Sequence, residues 1–227
     1  MTRRLGVLGG TFDPVHVGHL DAADAARSAL ALDEVLFVPS HDPPHRPEHP
    51  HATAFHRFAL VALAVDGRAG CRVSDLEVRR QGSSYTSETL HSLHAAGWQP
   101  WQIYFILGAD AFAEIATWHE FPAVLDGAHF AVVARPGVTI DHALARTPDL
   151  QRRVRPPAAA NGTAGPTAVF PVEARTRDVS STIVRARLAA GQTIDDLVPA
   201  AVARHIAAHH LYLESDLHGH DQDVQGA

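Results

Sequence analysis

Six strand-like runs alternate with stretches of helical spacing along almost the whole chain, and this alternation restricts the fold more than any other feature. The runs are RLGVLGG, DEVLFVPS, CRVSDLEVRR, QIYFILGAD, HFAVVARPG and TAVFPV. Between or after them lie HLDAADAARSALAL, ATAFHRFALVALAV, SSYTSETLHSLHAAG and SSTIVRARLAAG, whose apolar residues recur every three or four positions. Short strands separated by helices pair in parallel, because a helix returns the chain to the same end of the sheet. The pattern predicts an α/β fold: one doubly wound, Rossmann-like domain with a parallel sheet and helices on both faces. It spans residues 1–213. At 227 residues the chain can bury roughly 70% of its unfolded surface without a staple.

Local signals place the joints. Pro39 ends the second strand and Thr53 is a candidate cap for the helix after it. CRVSDLEVRR alternates and is expected to be a strand throughout. The next helix is expected to be capped near Ser84 or Thr86 and stopped at Gly97, and Gly191 and Pro199 punctuate the last two helices. Residues 147–167, rich in Pro, Ala, Gly and Arg, are expected to form a mobile surface excursion. The segment 214–227 has little to bury and is expected to be a disordered tail.

Composition narrows the setting. The net charge is −6 and no lysine occurs, so a generic nucleic-acid binder is disfavoured and any phosphate must meet Arg, His, hydroxyls or backbone N–H groups. The single cysteine, Cys71, excludes an intrachain disulfide and fits a reducing cytoplasm. No window reaches the roughly 18 apolar residues of a membrane span. The histidines of HDPPHRPEHPH sit in a proline-rich loop without metal-ligand spacing and are expected to be a polar loop, and no metal site is expected. Nothing excludes a homo-oligomer.

Ligands of such sheets bind beyond the carboxyl ends of the strands. The first run ends in GGTFDPVHVGHL. Glycines let backbone approach a ligand, the following helix start favours an anion, and His16 and His19 fall on one helical face. Gly18 between them leaves room for a nucleotide. Near the other end DVSSTIVRAR offers a second helix start with hydroxyls and, one turn on, Arg185.

The first stretch resembles the signature of the H-x-G-H nucleotidyltransferases, and the second resembles their I-S-S-T-x-x-R motif, with Val179 for Ile. PPHR resembles P-P-H-K, with Arg46 for Lys; SYTSETL resembles S-Y-T-x-x-T-L; GADAFAEIATW resembles G-A-D-x(7)-W. ARPG and the terminal VP…LY pattern extend the match to Tyr212. Together they resemble the bacterial nicotinate-nucleotide adenylyltransferases. That resemblance implies transfer of the adenylyl group of ATP to nicotinate mononucleotide, by direct attack on the α-phosphorus, with Mg²⁺ carried by ATP. It implies that His16, His19 and Arg185 carry the chemistry. It assigns ATP to Gly9, Gly10, Thr11, Phe12, Gly18, Gly108, Asp110, Arg135, Ser180 and Ser181. It assigns the nicotinate mononucleotide to His45, Arg46, Thr86, Ser87, Trp118 and His119. A phosphopantetheine or glycerol phosphate acceptor would leave the S-Y-T and Trp segments unexplained. A regulator without catalysis would be expected to lack His16, His19 or Arg185, and a scaffold has no need of two phosphate-type helix starts. Acceptance of nicotinamide mononucleotide alongside the nicotinate form rests on backbone geometry.

Overall fold

The structure is a computed structural model that describes residues 2–44, 49–80, 82–134, 140–174 and 176–213. Its elements are β1 (Leu5–Gly10), α1 (Val17–Ala29), β2 (Glu34–Pro39), α2 (Ala54–Val65), β3 (Cys71–Val73), α3 (Leu76–Arg79), α4 (Thr86–Ala95), β4 (Ile103–Gly108), α5 (Ala109–Ala113), β5 (His129–Ala134), α6 (Asp141–Arg146), β6 (Val169–Glu173), α7 (Ser181–Ala189) and α8 (Ala200–Ala208). The six strands form one sheet in the order β3-β2-β1-β4-β5-β6, every pair parallel. The chain winds outward from β1 in one direction and then from β4 in the other. The carboxyl ends of β1 and β4 therefore flank the switch point where doubly wound sheets take their ligands.

Strand alternation sorts the core into two layers. Leu5 and Val7 of β1 point to one face with Ile103, Phe105 and Leu107 of β4, under Leu90 and Leu93 of α4. Leu8 points to the other with Tyr104 and Ile106, under Leu20 and Ala23 of α1 and Leu60 and Val61 of α2. Gly6 is the small residue on that second face. A Cβ there would stand 2.8 Å from Leu32 Cδ1 and 3.0 Å from Ile106 Cδ1, so glycine sets how closely the helical layer approaches. Among the described residues no helix is long and apolar enough to cross a membrane.

Three expectations are corrected. CRVSDLEVRR is strand only over Cys71–Val73; Leu76–Arg79 is a helical turn. The alternation misled because Leu76 packs toward the core while Glu77 and Val78 are themselves buried, a turn's pattern and not a strand's. The cap of α4 is Tyr85, with no side-chain bond; the hydroxyl of Ser84 accepts instead from the N–H of His41. The 147–167 excursion is anchored. Leu150 is buried, Arg155 N–H donates to Val169 O, and the Arg153 guanidinium donates to Asp126, Thr167 and Leu125 O. The 214–227 segment lies outside the described residues.

His129 couples this fold to pH. It is 7% exposed at the start of β5, against Tyr104 and Phe170, and its Nδ1 accepts from Ala168 N–H at 2.9 Å. Burial pushes its pKa down to about 4, against a weaker opposing contact with the Trp101 backbone. The unfolded chain takes this proton near pH 6.5 and the folded one only near 4. The associated stability is thus complete above about pH 6.5 and is lost between there and 4, roughly 3 kcal/mol in all. Urea midpoints measured from pH 7.5 to 4 are expected to fall more steeply for the wild type than for His129→Gln. Parallel curves would mean that His129 titrates alike in both states.

Candidate active site

The turn after β1 is shaped by its own aromatic. Phe12 adopts a left-handed backbone, φ 51°, which folds its ring back into the core at 2% exposure. The ring lies against Gly10, where a Cβ would meet it at 3.1 Å, and presents an edge to His19 at 4.9 Å between centroids. Its side chain is therefore part of the core, and only its backbone faces the turn. His16 caps α1 and is buried; its ring stacks on that of half-buried His19 at 3.7 Å. The backbone N–H of His16 donates to His19 Nδ1 at 3.2 Å. In the neutral ring that contact leaves the proton on Nε2, which makes His19 a fixed hydrogen-bond donor on its far side.

Two features of the helix start differ from the sequence expectation. Val17 N–H donates to Leu197 O at 2.9 Å, so the N–H cradle is smaller than a bare helix start offers. A Cβ at Gly18 would meet Val179 Cγ1 at 3.1 Å and His16 Nδ1 at 3.2 Å. The described contacts of Gly18 are thus with the protein itself: glycine here lets the His16 ring and the approach to α7 fit together.

The second arm is hydrogen-bonded onto the first. Arg185 of α7 donates from Nη1 to Asp13 O at 2.6 Å, and Ser181 Oγ donates to Pro14 O at 2.9 Å. Arg177 forms a paired bridge to Asp21 of α1, at 2.6 and 2.9 Å, which holds the Asp21 carboxyl below its usual range. The two helix starts therefore form one site. Proton accounting separates the serines. Ser181 has spent its hydroxyl hydrogen on Pro14 and offers a ligand only its backbone N–H. Ser180 Oγ accepts from Ile183 N–H and keeps its own hydrogen to donate. Arg185 is 17% exposed in its side chain and retains Nη2 and Nε beyond the Asp13 contact.

Two residues of this site were missed from sequence. Asp13 is 1% exposed and accepts from the backbone N–H groups of His51 and Ala52 at 2.9 and 3.1 Å, with Arg185 Nη1 3.8 Å away. His51 Nδ1 lies 3.3 Å from the same carboxylate. Burial and that carboxylate push the Tyr212 hydroxyl well above its usual range. The other residue is Arg57 of α2, 1% exposed, whose guanidinium donates to the carbonyls of Thr11, Ser40, His41 and Ala52. The signal for it was present: Arg57 stands in register with Leu60, Val61 and Ala64 on the apolar face of α2, where a charge must find partners.

Across the switch point, Gly108 ends β4 exposed, with nothing within 4 Å of a Cβ built on it, and Asp110 follows it, also exposed. The start of α4 lies under a small aromatic group. Ser87 is buried and its Oγ lies 3.0 Å from His119 Nδ1; the His119 ring stacks on Tyr85 at 4.4 Å. No side chain of the cap residue satisfies the first N–H groups of α4, at Thr86 and Ser87. Trp118 is half-buried, edge-on to Phe105 at 6.0 Å. His45, Arg46 and Arg135 lie outside the described residues.

The cytidylyltransferase-like family profile matches residues 7–187. A probable nicotinate-nucleotide adenylyltransferase of Symbiobacterium thermophilum is 39% identical over 216 residues, covering 95% of this chain and 98% of its own. One from Roseiflexus sp. is 40% identical over 208 residues, covering 92% and 97%. Among solved structures, the Plasmodium falciparum nicotinic acid mononucleotide adenylyltransferase complexed with NaAD superposes with a TM-score of 0.69 at 17% identity, covering 92% of this chain and 97% of that one. At that identity the likeness speaks for the fold.

Proposed function

The chain belongs to the cytidylyltransferase-like family and, within it, to the nicotinate-nucleotide adenylyltransferases, and on that premise we propose that it transfers the adenylyl group of ATP to nicotinate mononucleotide, giving deamido-NAD and pyrophosphate in NAD biosynthesis. The observation that carries the reading is the bonding of α7 onto the histidine turn through Asp13 and Pro14. It gives one triphosphate two converging sets of donors at the switch point.

A 5′-phosphate oxygen of the acceptor attacks the α-phosphorus, the bond from that phosphorus to the bridging oxygen breaks, and pyrophosphate leaves with its electron pair. The attacking phosphate is already anionic near neutral pH, so no residue has to remove a proton. Catalysis is placement and charge stabilisation. His19 Nε2–H and the free N–H groups of Arg185 face the charge that grows on the phosphates. His16 holds the His19 ring, Ser180 adds a hydroxyl donor, and the backbone of Gly9–Phe12 forms the floor. Gly108 leaves open space for the adenosine, with the Asp110 carboxylate able to accept a hydrogen bond from a ribose hydroxyl, and the family resemblance assigns Arg135 to ATP as well. Mg²⁺ is part of the substrate, bound to the hard oxygens of the triphosphate, and it supplies charge neutralisation to the leaving pyrophosphate. The N–H groups of Thr86 and Ser87, with His119, would hold the nicotinate carboxylate, and His45 and Arg46 its phosphate. A reducing cytoplasm suits the lone Cys71.

Pyrophosphate release from Mg-ATP, measured in parallel with nicotinate and nicotinamide mononucleotide, tests the reading. Release with the nicotinate form alone is expected. Comparable release with both would keep the transfer and remove the carboxylate-reading role of Thr86, Ser87 and His119. No release with either would overturn the acceptor. Within this site Trp118→Ala is expected to raise KM for the acceptor about tenfold, the size of one lost ring stack, with kcat within about threefold. An unchanged KM would take Trp118 out of the acceptor site.

A further inference from the structure

Arg57 has no place in the mechanism above, yet it is the largest fully buried side chain among the described residues. Its guanidinium donates from Nη1 to Thr11 O at 2.8 Å and Ser40 O at 2.6 Å, from Nη2 to His41 O at 2.8 Å, and from Nε to Ala52 O at 3.0 Å. These four carbonyls come from two loops, one after β1 and one between β2 and α2, the second contributing from both of its ends. Thr11 follows β1 and begins the turn that carries His16 and His19. Ser40 and His41 follow β2 and lead into the PPHR stretch. Ala52 precedes α2, and its N–H holds Asp13, whose own carbonyl receives Arg185. A planar fork with five donors can meet carbonyls in several fixed directions at once; an ammonium cannot reproduce that geometry.

We propose that Arg57 is a positioning residue for adenylyl transfer, fixing the β1 turn relative to the β2 loop so that the triphosphate and its attacking phosphate are held in line. This rests on the transferase reading given above. Arg57 touches no substrate; it acts through Thr11, Ser40 and His41. Displacing one loop against the other would harm the in-line alignment more than the affinity for either nucleotide, because the loops would still present their donors.

The test uses Arg57→Lys, which keeps the charge, alone and combined with His19→Ala in the full chain. Arg57→Lys is expected to lower kcat about 30-fold at a temperature well below its Tm, with each KM within about threefold. In the His19→Ala background the same substitution is expected to cost threefold or less, since the aligned donor is already gone. Amide hydrogen exchange at residues 11–16 and 40–42 is expected to speed up in Arg57→Lys, and this readout needs no substrate. A lowered Tm with unchanged kcat would make Arg57 a structural residue only and overturn the proposal. So would an undiminished loss in the double variant, or unchanged exchange in both loops. If the wild type itself releases no pyrophosphate with nicotinate mononucleotide, the transferase reading fails separately, and the exchange measurement still decides whether Arg57 ties the loops. Should Arg57→Lys fail to fold, Arg57→Gln, with two amide donors, is measured in the same way.

Discussion

Replacing His19 with alanine is expected to lower kcat by about 10²–10³, with KM for nicotinate mononucleotide within about threefold. The size follows from how rigidly the ring is held. His16 N–H donates to Nδ1 at 3.2 Å, the His16 ring stacks at 3.7 Å, and the Phe12 edge closes a third side at 4.9 Å. Nε2–H is thereby aimed before any substrate arrives. A donor fixed in this way gains most from charge that exists only in the transition state, so its loss should register in kcat. The alanine variant also removes the His19 Nδ1 acceptor of the His16 N–H, about 1 kcal/mol of helix capping, which a thermal melt will show as a modest shift. Varying both substrates separates the effects. A loss carried by KM alone would reduce His19 to a binding contact.

Fold and site were legible where a single residue type has few alternative uses. The β1 run, its glycine turn and the histidine pair were read directly, as were Pro39, Thr53 and Gly97, because each restricts the backbone or caps a helix by itself. What stayed hidden depends on partners distant in sequence. Asp13 looks like an ordinary turn residue until the N–H groups of His51 and Ala52 are brought to it. The Ser181 hydroxyl looks like a phosphate donor until Pro14 O takes its hydrogen. Leu76–Arg79 has a strand's alternation over too few residues for two periods to be told apart. Arg57 is the instructive case. Its apolar register was visible, but the carbonyls that justify burying it come from loops 5 to 46 residues away.

The same dependence on geometry gives Arg185→Ala its large effect. Removing this side chain is expected to lower kcat/KM for ATP by about 10²–10³, the scale of a charge-assisted contact to a transferring phosphoryl group. Two losses add. The free guanidinium N–H groups no longer meet the triphosphate, and the 2.6 Å bond to Asp13 O, which ties α7 to the histidine turn, disappears. Arg185→Lys separates them. An ammonium placed near Asp13 O can serve that carbonyl or a phosphate oxygen, whereas the guanidinium spans both. The lysine variant is therefore expected to recover less than tenfold of the loss while restoring most of any lowered Tm. If lysine instead returned near wild-type kcat/KM, charge alone would suffice, and the span from Asp13 to the triphosphate would have no part in catalysis. If alanine left kcat/KM for ATP unchanged, α7 would serve only to buttress the turn, and the triphosphate would have to be held by His19 and the β1 backbone without it.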